Sequence, residues 1–162
     1  MKRYLLLILL ASPLTVSSGD AQVLSSEHDT QQYTQLFADA AAGNLASVQA
    51  AVQKDKSVLT AMEWDDATLL HLAVGQNHKE LTEYLIAQGA DVNALTRDHL
   101  TPLHMAAQNA NISIAVLLLR NGARINPVDL KGWTPLDRAE KWNHPLTSAF
   151  LKKNGGKEGS SL

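Results

Sequence analysis

Cysteine is absent from this chain. That excludes a disulfide framework, a thiolate metal site and a cysteine nucleophile together. Charge of one sign is also lacking. Fourteen Lys and Arg face 16 Asp and Glu, for a formal net charge of −2, so no basic surplus exists to neutralise nucleic-acid phosphates. No apolar run approaches the roughly 20 residues of a membrane-spanning helix. A glycine-rich phosphate loop, an H-E-x-x-H pair and a G-x-S-x-G elbow are all missing. Stability therefore has to come from a packed core.

What is present is a period. Thr68, Thr101 and Thr134 are spaced 33 apart, and so are Ala73, Ala106 and Ala139, then Gly89, Gly122 and Gly155. The clearest unit runs from Thr101 to Asn126: T-P-L-H-M-A-A-Q-N-A-N-I-S-I-A-V-L-L-L-R-N-G-A-R-I-N. Thr101 is placed to cap a helix, and Pro102 suits the first helical position, where a missing N–H costs nothing. Leu103, Ala106 and Ala107 predict a short helix with a small-residue face. Ile114, Leu117 and Leu118 make an apolar i, i+3, i+4 stripe on a second helix. Asn121-Gly122 ends it, with Gly122 free to turn left-handed. Asn126 then enters a turn, where an Asn side chain is expected to bond local backbone. One such helix pair cannot bury its apolar face alone, so neighbouring pairs must stack.

A 33-residue period headed by T-P-L-H resembles the ankyrin-repeat family, over roughly Tyr33 to Gly156. The resemblance implies an all-α solenoid of about four helix-turn-helix repeats, near 33–62, 63–95, 96–128 and 129–156. The first is worn: Gln35 stands for the Thr, Ala38 for the His and Lys56 for the turn glycine. Its register is expected to survive, because Leu59 aligns with Val92 and Ile125. In the family, the histidine at His71 and His104 bonds backbone and Thr hydroxyls between repeats. Asp137 takes that place in the last unit, as expected of an end repeat with no successor. His78 and His144 sit where the family often has histidine before the second helix. His28 and His99 are read as solvated.

Before the repeats, Lys2 and Arg3 precede a short apolar stretch, Leu5 to Ala11, and then Ser17, Ser18, Gly19 and Ala21. This reads as a secretory signal peptide over residues 1–21, followed by a flexible lead over 22–32. Its removal takes away Lys2, Arg3 and Asp20 and shifts the formal charge from −2 to −3. Residues 157–162, rich in Gly and Ser, are expected to be a disordered tail.

No constellation for catalysis is assembled, no cofactor is implied, and Asp65-Asp66 reads as a solvated turn rather than an acid/base pair. What varies between repeats is surface. In resembling proteins, partners are held by loop tips and by the exposed side of the first helices. Here the tip candidates are Trp64, Asp65 and Ala67; Arg97, Asp98, His99 and Leu100; and Leu130, Lys131 and Trp133. On the first helices they are Gln76, Gln108, Asn109, Lys141 and Trp142. All three tryptophans fall in this set, and Trp and Arg are enriched at binding hot spots. The expectation is a periplasmic module, monomeric when free. It would bind one protein partner, without nucleic acid or stable membrane insertion. The resemblance to small exported bacterial ankyrin proteins implies an immunity protein against a periplasm-targeted effector enzyme, such as a type VI lipase or phospholipase. An accessory partner of a periplasmic enzyme such as a catalase is the alternative.

Overall fold

The structure is a computed structural model that describes residues 33–63 and 65–162. The expected signal peptide, the lead and Trp64 lie outside the described residues. Helix α1 covers residues 33–41, and α2 covers Leu45–Lys54. Then come α3 (Leu69–Gly75), α4 (Lys79–Ala87), α5 (Pro102–Gln108), α6 (Ile112–Arg120), α7 (Pro135–Lys141) and α8 (Pro145–Lys153). From α3 onward both helices of each pair recur in step with the 33-residue period. No strand occurs among the described residues.

The first helices of the last three repeats, α3, α5 and α7, are only seven residues long, two turns, too short to hold without tertiary packing. Each is started by a reciprocal cap. Thr68, Thr101 and Thr134 are extended, and each N–H donates to a side chain at the third helical position: His71 Nδ1 at 3.2 Å, His104 Nδ1 at 3.0 Å and Asp137 Oδ2 at 2.7 Å. First helix lies on first helix, α3 on α5 and α5 on α7, while α4 lies on α6. Ala40, Ala73, Ala106 and Ala139 are all fully buried in this stack. A methyl group at each of these positions is what lets the helices approach, and anything larger would wedge them apart. The second helices supply the bulk: Val48 and Val52, Leu81 and Leu85, Ile114 and Leu118, all buried, then Leu151 alone in the last repeat. There Thr147 replaces the other apolar residue, and its hydroxyl is buried without a partner.

The worn first repeat keeps its register by a different device. Where later repeats turn on glycine, with φ of 99° at Gly89 and 88° at Gly122, the chain here runs into a 3-10 turn at Lys56–Thr60. Asp55 starts it, accepting from Ser57 N at 2.8 Å and Ser57 Oγ at 2.7 Å. Those bonds hold the Asp55 carboxyl below its usual range. Val58 and Leu59 are buried behind the turn, as the alignment of Leu59 with Val92 requires.

Three expectations meet a different arrangement at the far end. Residues 157–162 do not trail away. They form a turn at Gly159–Ser161 that lies on the last repeat. Lys157 N donates to Asn126 Oδ1 at 2.8 Å, Lys157 O accepts from Thr134 Oγ1 at 2.7 Å, and Gly159 N donates to Asp137 Oδ2 at 2.8 Å. Asp137 therefore has a successor to bond. The Lys157 bond to Asn126 repeats that of Arg124 to Asn93 one period earlier, and the Asp137 carboxylate meets a backbone N–H where His104 meets a carbonyl. Asn126 likewise bonds forward rather than locally, since its Nδ2 donates to Gly155 O at 3.0 Å. Asn93 does the same one repeat earlier, donating to Gly122 O at 3.0 Å and accepting from Arg124 N at 2.8 Å. An extended reach across the repeat joint wins over a local turn because both carbonyl and N–H of the next loop are presented to one amide.

Candidate partner-binding surface

The loops before α3, α5 and α7 share one backbone. Glu63 N donates to Ala67 O at 2.9 Å, Thr96 N to Leu100 O at 3.0 Å and Asp129 N to Trp133 O at 3.0 Å. Within each loop the fourth residue turns left-handed, with φ of 63° at Asp66, 59° at His99 and 74° at Gly132. Asp and His are among the few side-chain residue types that tolerate this region. Polar side chains brace the loops from inside. Asp65 Oδ1 accepts from Ala67 N at 3.1 Å, Thr96 Oγ1 from Leu100 N at 3.1 Å, and Asp129 Oδ1 from Lys131 N at 2.8 Å and Trp133 N at 3.0 Å. The tips are also strung together, Arg97 N donating to Asp65 O at 2.8 Å and Leu130 N to Asp98 O at 3.1 Å.

The second and third tips are each further fixed by a buried histidine of the repeat before, while Ala38 leaves the first tip without one. His71 Nε2 donates to Leu100 O at 3.1 Å and His104 Nε2 to Trp133 O at 3.0 Å. A carbonyl only accepts, so the proton sits on Nε2 and Nδ1 takes the Thr N–H. The Thr68 and Thr101 hydroxyls, each 3.0 Å from that Nδ1, belong to the same repeat as the histidine, while the backbone partner belongs to the next. Both ring nitrogens are thus committed to the frame. Burial pushes the two imidazoles below their ordinary pKa, His104 to about 4, because desolvation outweighs the backbone carbonyls and nearby carboxylates that favour the charged form. His78 and His144 make a second set of joints, from Nε2 to Ala41 O and Gln108 O, both at 2.9 Å.

On this fixed frame the candidate residues divide. Arg97, Asp98, His99, Leu130 and Lys131 are exposed at the tips, and Gln76, Asn109, Lys141 and Trp142 are exposed on or just after the first helices. Asp65, Asp66, Leu100 and Trp133 are half-buried. Ala67 is a correction: it is 2% exposed, because it closes the loop and packs under it rather than facing out. Gln108 and Asn109 share their time with the frame. Gln108 Oε1 accepts from Arg138, and Asn109 Nδ2 donates to Gly75 O at 2.8 Å.

The electrostatics differ from tip to tip. Arg97 sits 3.8 Å from Asp66. Burial, with Asp65 nearby, raises the Glu63 carboxyl. At the last tip Asp129 is buried and Arg138 holds it at 2.6 and 3.1 Å. Burial pushes that carboxyl up, but the Trp133 N–H, the guanidinium and the Lys131 N–H together outweigh it, so Asp129 stays below its usual range. One set of exposed residues was not singled out from the sequence, although the period marks it. Met62, Leu95 and Val128, 33 apart, are 57%, 46% and 47% exposed beside the starts of the tips. A cavity of about 790 Å³ opens between α1 and the first turn and is lined by Tyr33, Phe37, Thr60 and Met62 among others. No cluster of His, Asp and Glu arranged to hold a metal occurs among the described residues, and no described helix is long and apolar enough to cross a membrane.

A stack of equal helix pairs with braced, sequence-variable tips defines a helical-repeat solenoid. A family model for ankyrin repeats, three copies, matches residues 36–129 and, in an overlapping placement, 70–158. Together these cover most of the chain, which belongs to the ankyrin-repeat family. Such repeats are protein–protein interaction modules, generally without catalysis.

Proposed function

We propose that this chain is an exported, non-catalytic binding module that acts in the periplasm as an immunity protein, gripping and neutralising an antibacterial effector enzyme such as a type VI lipase or phospholipase. One observation carries the binding role. Three tips share a backbone fixed by the same hydrogen bond, yet present Asp65, Asp98 and Lys131, or Asp66, His99 and Gly132, at equivalent positions. Rigidity is spent on the frame and variation on the surface, which is the arrangement of a pre-organised paratope. The Lys2-Arg3 start with its short apolar run supports export, and an inhibitor is needed in the compartment where such an enzyme arrives.

The test begins with the neighbouring gene product. Purified chain lacking residues 1–21 is titrated into a candidate effector, with hydrolysis as readout. The expected result is loss of activity that ends at one-to-one stoichiometry. A partner whose activity rises instead identifies the accessory role, as for a periplasmic catalase. A chain recovered from the periplasm free of any partner enzyme would overturn the proposal.

A further inference from the structure

We infer that the last tip and the end of α7 form a seat for an acidic segment of a protein partner, one with carboxylates flanking an apolar side chain. This rests on the reading of the chain as a protein-binding module and names the chemistry of its ligand. Three cations converge on the half-buried Trp133 ring: Lys131 Nζ at 5.5 Å, Arg138 Cζ at 6.0 Å and Lys141 Nζ at 6.0 Å from the centroid. Only Arg138 has a carboxylate, Asp129 at 2.6 Å. Glu140, next to Lys141, is taken by Lys152 at 2.7 Å, and the Asp137 carboxylate is taken by Thr134 and the tail. Among the described residues neither Lys131 nor Lys141 enters an ion pair. Two like charges are therefore held beside one ring without a carboxylate partner, and a carboxylate placed near both adds two attractions.

Apolar surface accompanies the charge. Leu130, which precedes Lys131, is 63% exposed, and Trp142, which follows Lys141, is 55% exposed. An aliphatic or aromatic side chain of the partner set on them would exclude water from the flanking ion pairs and strengthen them. The occupant is a protein segment rather than a phosphate backbone. At the tip position of Lys131 the two preceding repeats carry Asp98 and Asp65, so a polyanion following the row would meet carboxylates. Two lysines are also too few to hold an anionic lipid surface, for which clusters of several basic residues are the rule. The row further sets a direction: the partner's acidic end lies on the fourth repeat, and its chain runs back toward the third and second repeats with neutral or basic side chains.

The probe is the peptide acetyl-DELFDE-amide, compared with acetyl-NQLFNQ-amide, against the chain from residue 22. Binding is followed by the Trp133 and Trp142 indole N–H resonances and by calorimetry. The acidic peptide is expected to shift both indoles and to bind at least tenfold more tightly than its amide counterpart. Added salt should weaken it, and K131E/K141E should remove that advantage while K131R/K141R keeps it. Both lysines are exposed, so circular dichroism of the variants should match the parent. Equal binding of the two peptides, or no indole shift at millimolar acidic peptide, overturns the inference. The two readings fail separately. If an effector complex forms and K131E/K141E leaves its affinity unchanged, the seat is wrong and the immunity role stands. If the peptide binds as stated and no effector is inhibited, the seat stands and the immunity role falls.

Discussion

Acid should loosen the joint between the third and fourth repeats, and His104 sets how much. The imidazole is fully buried, and burial lowers its pKa to about 4 from an ordinary 6.5. The unfolded chain binds a proton below pH 6.5 and the folded chain does not until near pH 4. The stabilisation from a neutral His104 is therefore complete above pH 6.5 and is lost as the pH falls toward 4. At pH 5 the linkage amounts to about 2 kcal/mol, a large share of a marginal stability. His71 is shifted in the same direction and adds to the loss. The perturbation is His104→Asn. An amide can still accept from Thr101 N–H but carries no proton equilibrium in this range, and it forfeits the Nε2 bond to Trp133 O, at about 1 kcal/mol. Urea unfolding followed by far-UV circular dichroism at pH 7.5 and pH 5.0 gives the four stabilities required. H104N should be the weaker protein at pH 7.5, and the parent should lose about 2 kcal/mol more than H104N on going to pH 5.0. Equal losses in the two proteins would refute a buried, neutral His104 at this joint.

Four further outcomes follow from the same packing. Thr147→Val should stabilise by about 1 kcal/mol in urea unfolding, because it replaces an unpartnered buried hydroxyl with a methyl of similar shape. Gly122→Ala should cost about 1 kcal/mol through its φ of 88° alone, since an added Cβ meets nothing within 4 Å. Gly43→Ala should cost clearly more in the same assay, because its Cβ would lie 2.5 Å from His78 Nδ1 and the ring is held to Ala41 O. Deleting residues 157–162 should lower the melting temperature and raise amide exchange at Thr134 and Asp137, whose side chains lose the tail backbone; unchanged exchange there would show the tail is not seated.

Much of the frame could be read from residue order, because one local pattern is repeated and each copy constrains the others. Thr-x-x-His caps, a small-residue first helix, an i, i+3, i+4 second helix and a left-handed glycine are each short-range signals. The candidate surface was less legible. Ala67 reads like its tip neighbours and is buried, since it closes the loop through Glu63 N and packs under it. Met62, Leu95 and Val128 read as ordinary loop apolars, although their spacing is the period itself.

Composition and the 33-residue period by themselves determined the helix pairs, their register and their need to stack, because those follow from dihedral preference and burial of one face. Tertiary structure alone decided the links across the joints. Asn93 and Asn126 bond forward, and residues 157–162 fold back onto Asn126, Thr134 and Asp137. Those partners lie 22 to 31 residues apart in the chain, and only the stacking distance between repeats brings them within reach.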